Sequence, residues 1–373
     1  MRVLHVVSNI SLGNGIMSVL MNYYRNLDRN KVQFDFFFYD SRKTTYADEI
    51  VELGGKVIEM PNIRNPFRFR RSYSIFCKNR KGHYNIIHIH DCFMSFFICD
   101  IKRNLGAQKL IIHSHNPKLS DYMLGEIRNR ILSYPSYFIA DYYFACSKES
   151  GFYAFGAKFN KGTILNNAID VRNYRYNAIE RVRIREELGI NGKFVIGNIA
   201  GFRKQKNHRF MIDIFSELLS REHESVMVLV GSGPTMNEIK EIARDKDIYD
   251  KILFLGTRSD IDVLLSAFDV FLLPSIYEGF GIVLVEAQAE GLPCVFSDTI
   301  PVMANILKNN NTVLELADNP KKWADVLISR GKKGRVENTE IIDKTIEEAG
   351  FSISVEAIKL QKLYEDMICN NGE

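Results

Sequence analysis

Residues 270–296 read VFLLPSIYEGFGIVLVEAQAEGLPCVF, and this stretch decides the fold. The apolar run Val270–Leu273 predicts a buried strand, and Gly279 and Gly281 predict a turn after it. The apolar residues from Val283 onward predict a helix, and the run Cys294–Phe296 predicts the next strand. A strand, a crossover helix and a further strand form the repeating unit of a parallel α/β sheet.

Two acids flank the turn in this stretch. Glu278 lies on the predicted loop, and Glu286 lies inside the predicted helix. The backbone N–H groups around Gly279, Phe280 and Gly281 would face the same space, because the first amides of a helix have no intrahelical acceptor. The pattern predicts a site that holds a phosphate and the hydroxyls of a sugar together.

The same alternation of apolar runs and amphipathic stretches extends along the whole chain of 373 residues, which is long enough for two domains. The predicted architecture is α/β, with two doubly wound domains at residues 1–170 and 171–350 and a C-terminal helix within 351–373 that packs back toward the first domain. The predicted strands are Val3–Val7, Phe34–Tyr39, Lys56–Met60, Ile86–Ile89, Leu110–Ile112 and Tyr142–Ala145, then Phe194–Ile199, Val226–Val230, Ile252–Leu255, Val270–Leu273 and Cys294–Phe296.

Charge is distributed unevenly between the two halves. Residues 1–170 carry 23 Lys and Arg against 14 Asp and Glu, whereas residues 171–373 carry 26 against 31. The basic half indicates an anionic partner, and its densest part, residues 64–81, interleaves cations with aromatic residues. This pattern fits contact with an anionic membrane surface and equally a solvated helix face with an apolar underside. Nucleic acid is not predicted as a partner, because no recognition motif accompanies the charge.

Cysteine spacing and hydropathy indicate the compartment. The six cysteines form no CxxC pair, so neither a zinc knuckle nor a disulfide framework is indicated, and a reducing cytoplasm fits. The N-terminal apolar run Val3–Val7 is too short for a signal peptide, and no run approaches the roughly 20 apolar residues of a membrane span. We therefore expect a cytoplasmic protein whose association with the inner face of the cell membrane is peripheral.

Candidate binding residues follow the predicted strands, where doubly wound domains place their ligands. Gly13 and Gly15 follow the first strand, but Ser18 breaks the GxGxxG fingerprint. No acid is placed to grip a ribose at the end of the second strand, which disfavours a nicotinamide cofactor. The two glycines are interpreted as a close approach of backbone to ligand, with a plain tight turn as the alternative. No cofactor is predicted.

Two histidine pairs and a DxD run raise the question of a metal. His88 and His90 follow the fourth strand, and His113 and His115 follow the fifth. Paired imidazoles attract zinc, but no carboxylate or thiol spacing completes a ligand set. Positioning of a polar substrate or a structural role is therefore favoured, with His115 as the strongest functional candidate. Asp260–Asp262 is interpreted as a helix opening with Ser259 and Asp260 as capping candidates, so no metal site is predicted.

The run Lys204-Gln205-Lys206-Asn207-His208 follows a predicted strand and opens a helix. Cations beside free N–H groups suit a diphosphate. Solvated surface charge is the alternative reading of the same residues. The first half of the chain is basic, and the second half holds Glu278 and Glu286. The loops of the two halves are therefore candidates for lining one ligand site.

Together these segments make the chain similar to the retaining glycosyltransferases of the GT-B fold, in family 4 of the nucleotide-sugar transferases. Within that family it resembles the bacterial branch that builds exopolysaccharide and capsule chains. The resemblance is carried by LVGSGP at 229–234, FLGTRSDI at 254–261, the run at 269–286 and EAQAEGLPCV at 286–295, with support from HSHN at 113–116 and NNAID at 166–170. It implies two Rossmann-like domains that face a cleft.

The resemblance also implies roles for single residues. Glu278 would lie against the hydroxyls of the donor sugar, His115 would lie by the transferred sugar, and Lys206 would neutralise the leaving diphosphate. The implied donor-binding residues are Gly13, Gly15, Arg203, Gly279, Phe280, Gly281, Ile282 and Glu286, the last of which would accept hydrogen bonds from the ribose. Fixed cations and amides would then stabilise the departing nucleotide without a metal.

The implied activity is that of a retaining hexosyl- or N-acetylhexosaminyl-transferase in surface polysaccharide biosynthesis. A sugar would pass from a nucleotide-diphosphate donor, with UDP favoured, to a saccharide or lipid-linked saccharide acceptor. One position departs from the family pattern: Gly201 stands where the family usually carries an arginine, five residues before Lys206. Two alternatives stay open, a nucleotide-sugar 2-epimerase and a non-catalytic GT-B partner subunit, and Gly201 favours the second of these.

Overall fold

The computed structural model of the protein describes residues 1–41, 44–120 and 123–369. These residues form two compact units. The first comprises Met1–Ala168 together with the segment from Ile353 onward, and the second comprises Ile169–Ser352. The chain therefore passes through the second unit once and returns to the first.

Among the described residues of the first unit, seven strands form one parallel sheet in the order β3-β2-β1-β4-β5-β6-β7. The order reverses between β1 and β4, as in doubly wound domains, where ligands bind at the carboxyl ends of the strands near that point. The strands are β1 (Arg2–Val7), β2 (Gln33–Phe38), β3 (Val57–Glu59), β4 (Ile86–Ile89), β5 (Lys109–Ser114), β6 (Tyr142–Ala145) and β7 (Thr163–Ile164).

Helices connect these strands and cover the sheet. Some of these helices begin at a capping residue, whose side chain accepts a hydrogen bond from a free amide of the first turn. Asn14 caps α1 in this way, and Ser147 caps α8. The helices before the crossing into the second unit are α1 (Gly15–Asn26), α2 (Ala47–Glu52), α3 (Pro66–Asn79), α4 (Met94–Phe97), α5 (Ile101–Leu105), α6 (Met123–Ser133), α7 (Ser136–Ile139) and α8 (Lys148–Phe155), with a 3-10 helix at Gly156–Lys161.

The described part of the second unit is built on six parallel strands in the order β10-β9-β8-β11-β12-β13. These are β8 (Phe194–Ile199), β9 (Ser225–Val230), β10 (Ile252–Gly256), β11 (Val270–Leu273), β12 (Cys294–Ser297) and β13 (Thr312–Leu314). The helices are α9 (Ala178–Glu187), α10 (His208–Leu219), α11 (Met236–Asp245), α12 (Ile261–Ala267), α13 (Ile282–Ala289), α14 (Pro320–Lys333) and α15 (Thr339–Glu348), with 3-10 helices at Val171–Tyr174, Lys204–Lys206, Tyr249–Lys251 and Val302–Ala304.

The core of the second unit contains Trp323, the single tryptophan of the chain. Its side chain is fully buried on α14 and packs edge-on against Phe210 of α10, with the ring centroids 5.6 Å apart. Strands β8, β9 and β11 contribute a buried aliphatic layer, because a parallel sheet covered on both faces needs nearly continuous apolar strands.

The last helix of the described chain is α16 (Ile353–Cys369), which packs against α1 in the first unit. Tyr364 of α16 is fully buried, and its hydroxyl lies 2.9 Å from Nδ1 of His88. Helix α16 has 17 residues. Neither α16 nor any other helix of the described chain has the length and apolar content that a membrane span requires.

The predicted fold class is confirmed, with two Rossmann-like parallel sheets. Sequence patterns missed β7 and β13, because strands of two and three residues are too short to show a period. Of the two predicted capping candidates of α12, Ser259 and Asp260, Asp260 stands at the N-cap position, but its side chain makes no capping hydrogen bond. Its carboxylate instead pairs with Arg258, at 2.8 and 2.5 Å.

Candidate functional site

Lys206 and Glu278 meet in the second unit. Lys206 ends the 3-10 turn that follows β8, and Glu278 lies in the loop that follows β11. Their strands are neighbours in the sheet, so the two loops leave the same edge. Nζ of Lys206 lies 2.6 Å from Oε1 of Glu278, and the side chains are 18% and 5% exposed. The two predicted site residues form an ion pair that is largely shielded from water.

Backbone and amide hydrogen bonds hold these two loops together. The amide of Ile276 donates to the carbonyl of Gln205 at 2.8 Å, and Nε2 of Gln205 donates to the carbonyl of Tyr277 at 3.0 Å. Asn207 has left-handed backbone angles, φ 57° and ψ 39°, and its Nδ2 donates to the carbonyl of Pro274 at 3.1 Å. Asparagine tolerates this conformation better than most residues, and it turns the chain so that the lysine before it faces the acid loop.

A buried serine fixes Glu278 from the other side. Oγ of Ser275 donates to the same Oε1 atom at 2.6 Å. The carbonyl of Ser275 accepts hydrogen bonds from the hydroxyls of Ser297 and Thr299, each at 2.6 Å. Oε1 therefore has two donors, whereas Oε2 receives none from the described residues and is available to a ligand hydroxyl.

The start of α13 follows directly after this acid. Gly281 is its N-cap residue, with φ 83° and ψ 57°, and no side chain caps the helix. In the described part of the chain, the amides of Phe280, Gly281 and Ile282 have no hydrogen-bond acceptor. An uncapped helix start presents partial positive charge and free donors, which suit a phosphate.

Glu286 lies one turn into α13 and is 8% exposed. Its Oε1 accepts a hydrogen bond from the hydroxyl of Tyr174 at 2.9 Å. Burial raises the pKa of Glu286 to about 7, an effect that the Tyr174 hydroxyl opposes and the charge of Asp262 reinforces. The acid is thus poised between its charged and neutral forms near neutral pH.

Arg203 and Gly201 bear on the missing family arginine. The side chain of Arg203 is exposed and has no ion-pair or hydrogen-bond partner within the described residues. Among the described residues, a Cβ atom added at Gly201 would meet only the carbonyl oxygen of Ser232, at 3.6 Å, an ordinary van der Waals contact. The backbone therefore has room for a side chain at 201.

Gly231 and Gly233, in the loop after β9, have a structural reason to be glycine. A Cβ atom on Gly231 would lie 2.1 Å from the carbonyl oxygen of Ala200, and one on Gly233 would lie 2.3 Å from that of Phe202. The amide of Phe202 also donates to Ser232 at 3.0 Å. This loop packs against residues 200–202 and supports the segment that leads to Arg203.

In the first unit, Gly13 and Gly15 lie in the exposed turn between β1 and α1. Oδ1 of Asn14 accepts from the amide of Ile16 at 3.0 Å and caps the helix. Gly15 is the first residue of α1, and a Cβ atom added there would meet none of the described residues within 4 Å. Local packing does not demand glycine at this position, which favours the interpretation that a ligand approaches the backbone there.

His115 follows β5 in the first unit and belongs to a stack of imidazole rings. Neighbouring rings lie 3.9–5.3 Å apart between centroids along the stack of His5, His88, His90, His113 and His115. Burial is the main cause that lowers the pKa of every member, to about 3 for His5 and His115. At neutral pH the stack is uncharged.

Two trios in this stack bring nitrogen atoms within 4.8 Å of one another: His5, His88 and His90, and His90, His113 and His115. The shortest separations are those of ring-to-ring hydrogen bonds, 2.9 Å between His5 and His90 and 2.8 Å between His90 and His115. Neither trio includes a carboxylate or thiolate to balance a divalent charge in a buried position. The hydrogen bonds account for the geometry, and the donor set fits a metal poorly.

Sequence reasoning missed several residues that complete the site. Tyr174 and Ser275 hold the two glutamates, Asn207 turns the lysine inward, and His5 extends the histidine stack. Only His5 had a usable signal, because it occupies β1 in register with His88 of β4 and alternate residues of a strand share a face. The other three contacts depend on loop geometry.

Comparison with known proteins identifies the family of the chain. The family model for glycosyl transferases group 1 matches residues 180–339. EpsF of Bacillus subtilis (strain 168), a protein assigned as a glycosyltransferase, is 33% identical over 371 residues, covering 97% of this chain and 96% of the relative. The Escherichia coli UDP-Gal:α-D-GlcNAc-diphosphoundecaprenol α-1,3-galactosyltransferase is 30% identical over 220 residues, 56% of this chain and 55% of that enzyme.

Solved structures share the fold at low sequence identity. HepE of Anabaena, solved in complex with UDP-glucose, superposes with a TM-score of 0.81 at 16% identity over 98% of this chain and 100% of that chain. WaaG, a glycosyltransferase involved in lipopolysaccharide biosynthesis, gives 0.69 at 13% identity over 99% and 100%. The chain therefore has the GT-B fold and belongs to the glycosyl transferases group 1 family.

Proposed function

We propose that this glycosyltransferase moves a sugar from a UDP-sugar to a hydroxyl of a saccharide or lipid-linked saccharide acceptor, in the biosynthesis of a surface polysaccharide. The observation that carries the proposal is the buried pair of Lys206 and Glu278 beside the uncapped start of α13. Cation, acid and free amides are the groups that a diphosphate and a sugar require together.

Lys206 supplies the charge that the leaving group needs. An ammonium group has three N–H donors, and one of them is engaged by Glu278. The others remain for the diphosphate, whose negative charge grows as the bond to the sugar breaks. The free amides of Phe280, Gly281 and Ile282 add fixed donors, and such preorganised groups stabilise developing charge without reorganisation during the reaction.

The two glutamates take different parts of the donor. Oε2 of Glu278 accepts from a hydroxyl of the sugar, while Glu286 accepts from the ribose. Gly279 belongs to the same loop, and Arg203 extends the cationic side toward the diphosphate. In the first unit, Gly13 and Gly15 approach the diphosphate, and His115 contacts the transferred sugar. No metal enters this scheme.

We further propose that the enzyme belongs to family 4 and retains the anomeric configuration. No side chain of the described site is placed as an obvious enzymic base, which suits a front-face reaction assisted by the leaving phosphate. The names of relatives support the substrate class. The Escherichia coli relative uses UDP-Gal and a diphosphoundecaprenol-linked acceptor, and another, WclY, acts in O-antigen biosynthesis. The transferred group proposed here is a hexose or N-acetylhexosamine.

Transfer assays with a panel of UDP-sugars and lipid-linked saccharides test the proposal. Glu278→Ala and Lys206→Ala should each lower kcat/KM by about 100-fold or more, the scale of other losses of transition-state charge stabilisation. Lys322→Ala is the matched control, because Lys322 forms an exposed pair with Asp318 at 2.8 Å in the same unit. Full activity of both site variants would exclude the proposed roles, and turnover of the donor without acceptor would point to the 2-epimerase.

The enzyme's second proposed partner is the anionic inner face of the cell membrane. Helices α3, α4, α6 and α7 lie together in the first unit, and they expose large apolar side chains beside the basic residues of α3 and α6. These side chains, each at least half exposed, are Phe67, Ile75, Phe96, Met123, Leu124, Ile127, Ile131 and Phe138, together with Tyr134 between α6 and α7. Apolar groups bordered by arginines suit a surface of anionic lipid.

Vesicle sedimentation tests this membrane contact. The protein should bind vesicles that contain phosphatidylglycerol and not vesicles of phosphatidylcholine alone. Leu124→Glu with Ile131→Glu should abolish binding. Ile179→Glu is the control, because Ile179 is 79% exposed on α9 of the second unit. Equal binding by the double variant and the control would exclude this surface.

A further inference from the structure

The histidine stack contains a hydrogen-bonded chain of three rings. Nδ1 of His5 lies 2.9 Å from Nε2 of His90, and Nδ1 of His90 lies 2.8 Å from Nε2 of His115. His5 and His90 are buried, whereas His115 is partly exposed. The chain thus runs from the interior of the first unit to a residue at the carboxyl edge of its sheet.

The directions of the two hydrogen bonds are coupled. Burial keeps the rings neutral, and a neutral imidazole has one N–H donor and one acceptor nitrogen. His90 uses both of its nitrogens in the chain, so it must donate in one bond and accept in the other. Either every proton points outward, from His5 toward His115, or every proton points inward.

The inner end of the chain decides between the two directions. Nε2 of His5 is buried and has no hydrogen-bond partner among the described residues. If the protons pointed inward, this atom would carry an N–H without an acceptor in the core. If they point outward, it carries only an unused lone pair, and orphaned buried N–H groups are the rarer of the two. The outward direction is therefore favoured.

We propose that His5 and His90 are positioning residues that fix the tautomer of His115, so that its Nδ1–H faces the transferred sugar. In the outward direction Nε2 of His115 accepts from Nδ1 of His90, so the proton of His115 is carried by its Nδ1. A neutral, oriented N–H donor then meets a sugar oxygen. This inference rests on the proposed role of His115 in sugar transfer.

Nitrogen NMR on the full-length protein labelled with ¹⁵N-histidine tests the tautomer directly. The signals of His115 are identified by their absence from His115→Gln. The spectrum should show His115 protonated at Nδ1 alone, with or without a UDP-sugar. A ring protonated at Nε2, or at both nitrogens, at pH 7.5 would overturn the proposal. This measurement needs no catalytic activity. An inactive protein with the expected spectrum would therefore refute the proposed function but support the proposed tautomer of His115.

Kinetics with variants of His90 test whether the hydrogen bond from His90 to His115 contributes to catalysis. His90→Phe removes both hydrogen bonds, so the His115 signals should become those of mixed tautomers. The value of kcat should fall about tenfold, the scale for loss of a partner that orients an active-site ring. The KM for the donor should stay within about twofold of the wild-type value. His90→Gln restores a side-chain N–H donor and should recover most of kcat. The control is His113→Phe, because His113 stacks on His115 but neither of its ring nitrogens has a hydrogen-bond partner in the described structure. Equal losses of kcat in His90→Phe, His90→Gln and His113→Phe would overturn the proposal and show that these rings act only through packing.

Discussion

Nζ of Lys206 lies 2.6 Å from Oε1 of Glu278, and the carboxylate is only 5% exposed. The cation proposed for the diphosphate and the acid proposed for the sugar are thus electrostatically coupled before any ligand binds. Removing one partner leaves the other charge in a poorly hydrated position, which is more costly than removing both.

A double-mutant cycle should reveal this coupling. Lys206→Met should lower the free energy of unfolding of the second unit by about 2–4 kcal/mol, because the Glu278 carboxylate loses its countercharge. Glu278→Gln in the Lys206→Met background should recover at least half of that loss. Urea denaturation followed by the fluorescence of Trp323, the single tryptophan and a core residue of this unit, gives the values. Additive effects of the two substitutions would contradict the coupling.

Residue pattern predicted the acid loop and the described strands other than β7 and β13, but it could not predict this ion pair. Lys206 and Glu278 are 72 positions apart, and their contact depends on the left-handed backbone of Asn207 and on the bonds between the two loops. Tyr174 likewise meets Glu286 across 112 positions. The spacing of apolar residues predicts the strands and so the edge of the sheet at which each loop lies. The side-chain contacts between those loops depend on backbone angles, which this spacing does not encode.

Glu286 should make stability depend on pH. Its pKa is about 7 in the folded protein against 4.5 for the ordinary side chain, so the folded state binds the proton more tightly. The stabilisation is present below pH 4.5 and is lost as the pH rises toward 7. Glu286→Gln has no carboxylate to bury, so its stability relative to the wild type should increase by about 2–3 kcal/mol between pH 5 and pH 8. The Trp323 signal in urea checks this, and a pH-independent difference would contradict it.

Donor binding should show the opposite pH trend. If the ribose hydroxyls donate to Glu286, UDP-glucose binds the ionised carboxylate, and the acid is increasingly protonated below its pKa of about 7. The dissociation constant should rise from pH 8 to pH 6, approaching tenfold per pH unit at the acid end. Calorimetric titration with UDP-glucose measures this, and Glu286→Gln is the control, with weaker but pH-independent binding expected.

Arg203 should substitute for the arginine that is absent at position 201. Its exposed side chain has no partner in the described structure, so Arg203→Ala should leave stability unchanged and weaken UDP-glucose binding by about tenfold, the value of one charged hydrogen bond. Gly201→Arg in that background should restore binding, because the backbone at 201 has room for a side chain. Arg183→Ala, an exposed arginine on α9, is the control. Unchanged binding in Arg203→Ala would show that Arg203 does not supply the missing charge, whereas a wild type that binds no UDP-sugar would favour the non-catalytic partner subunit.

Gly15 gives a test of ligand approach that is free of folding effects. In the protein alone, a Cβ atom at this position meets no atom of the described chain within 4 Å, and alanine is the better residue in a helix by roughly 0.5–1 kcal/mol. Gly15→Ala should therefore keep or raise the melting temperature, yet weaken UDP-sugar binding at least tenfold if the diphosphate lies against this backbone.

Gly231→Ala gives the matched contrast for Gly15→Ala. Its Cβ atom would lie 2.1 Å from the backbone oxygen of Ala200, so this variant should lose stability, in thermal denaturation followed by circular dichroism, whether or not a ligand is present. Wild-type affinity in Gly15→Ala would show that the turn after β1 is only a turn, since the substitution creates no clash that could hide the result.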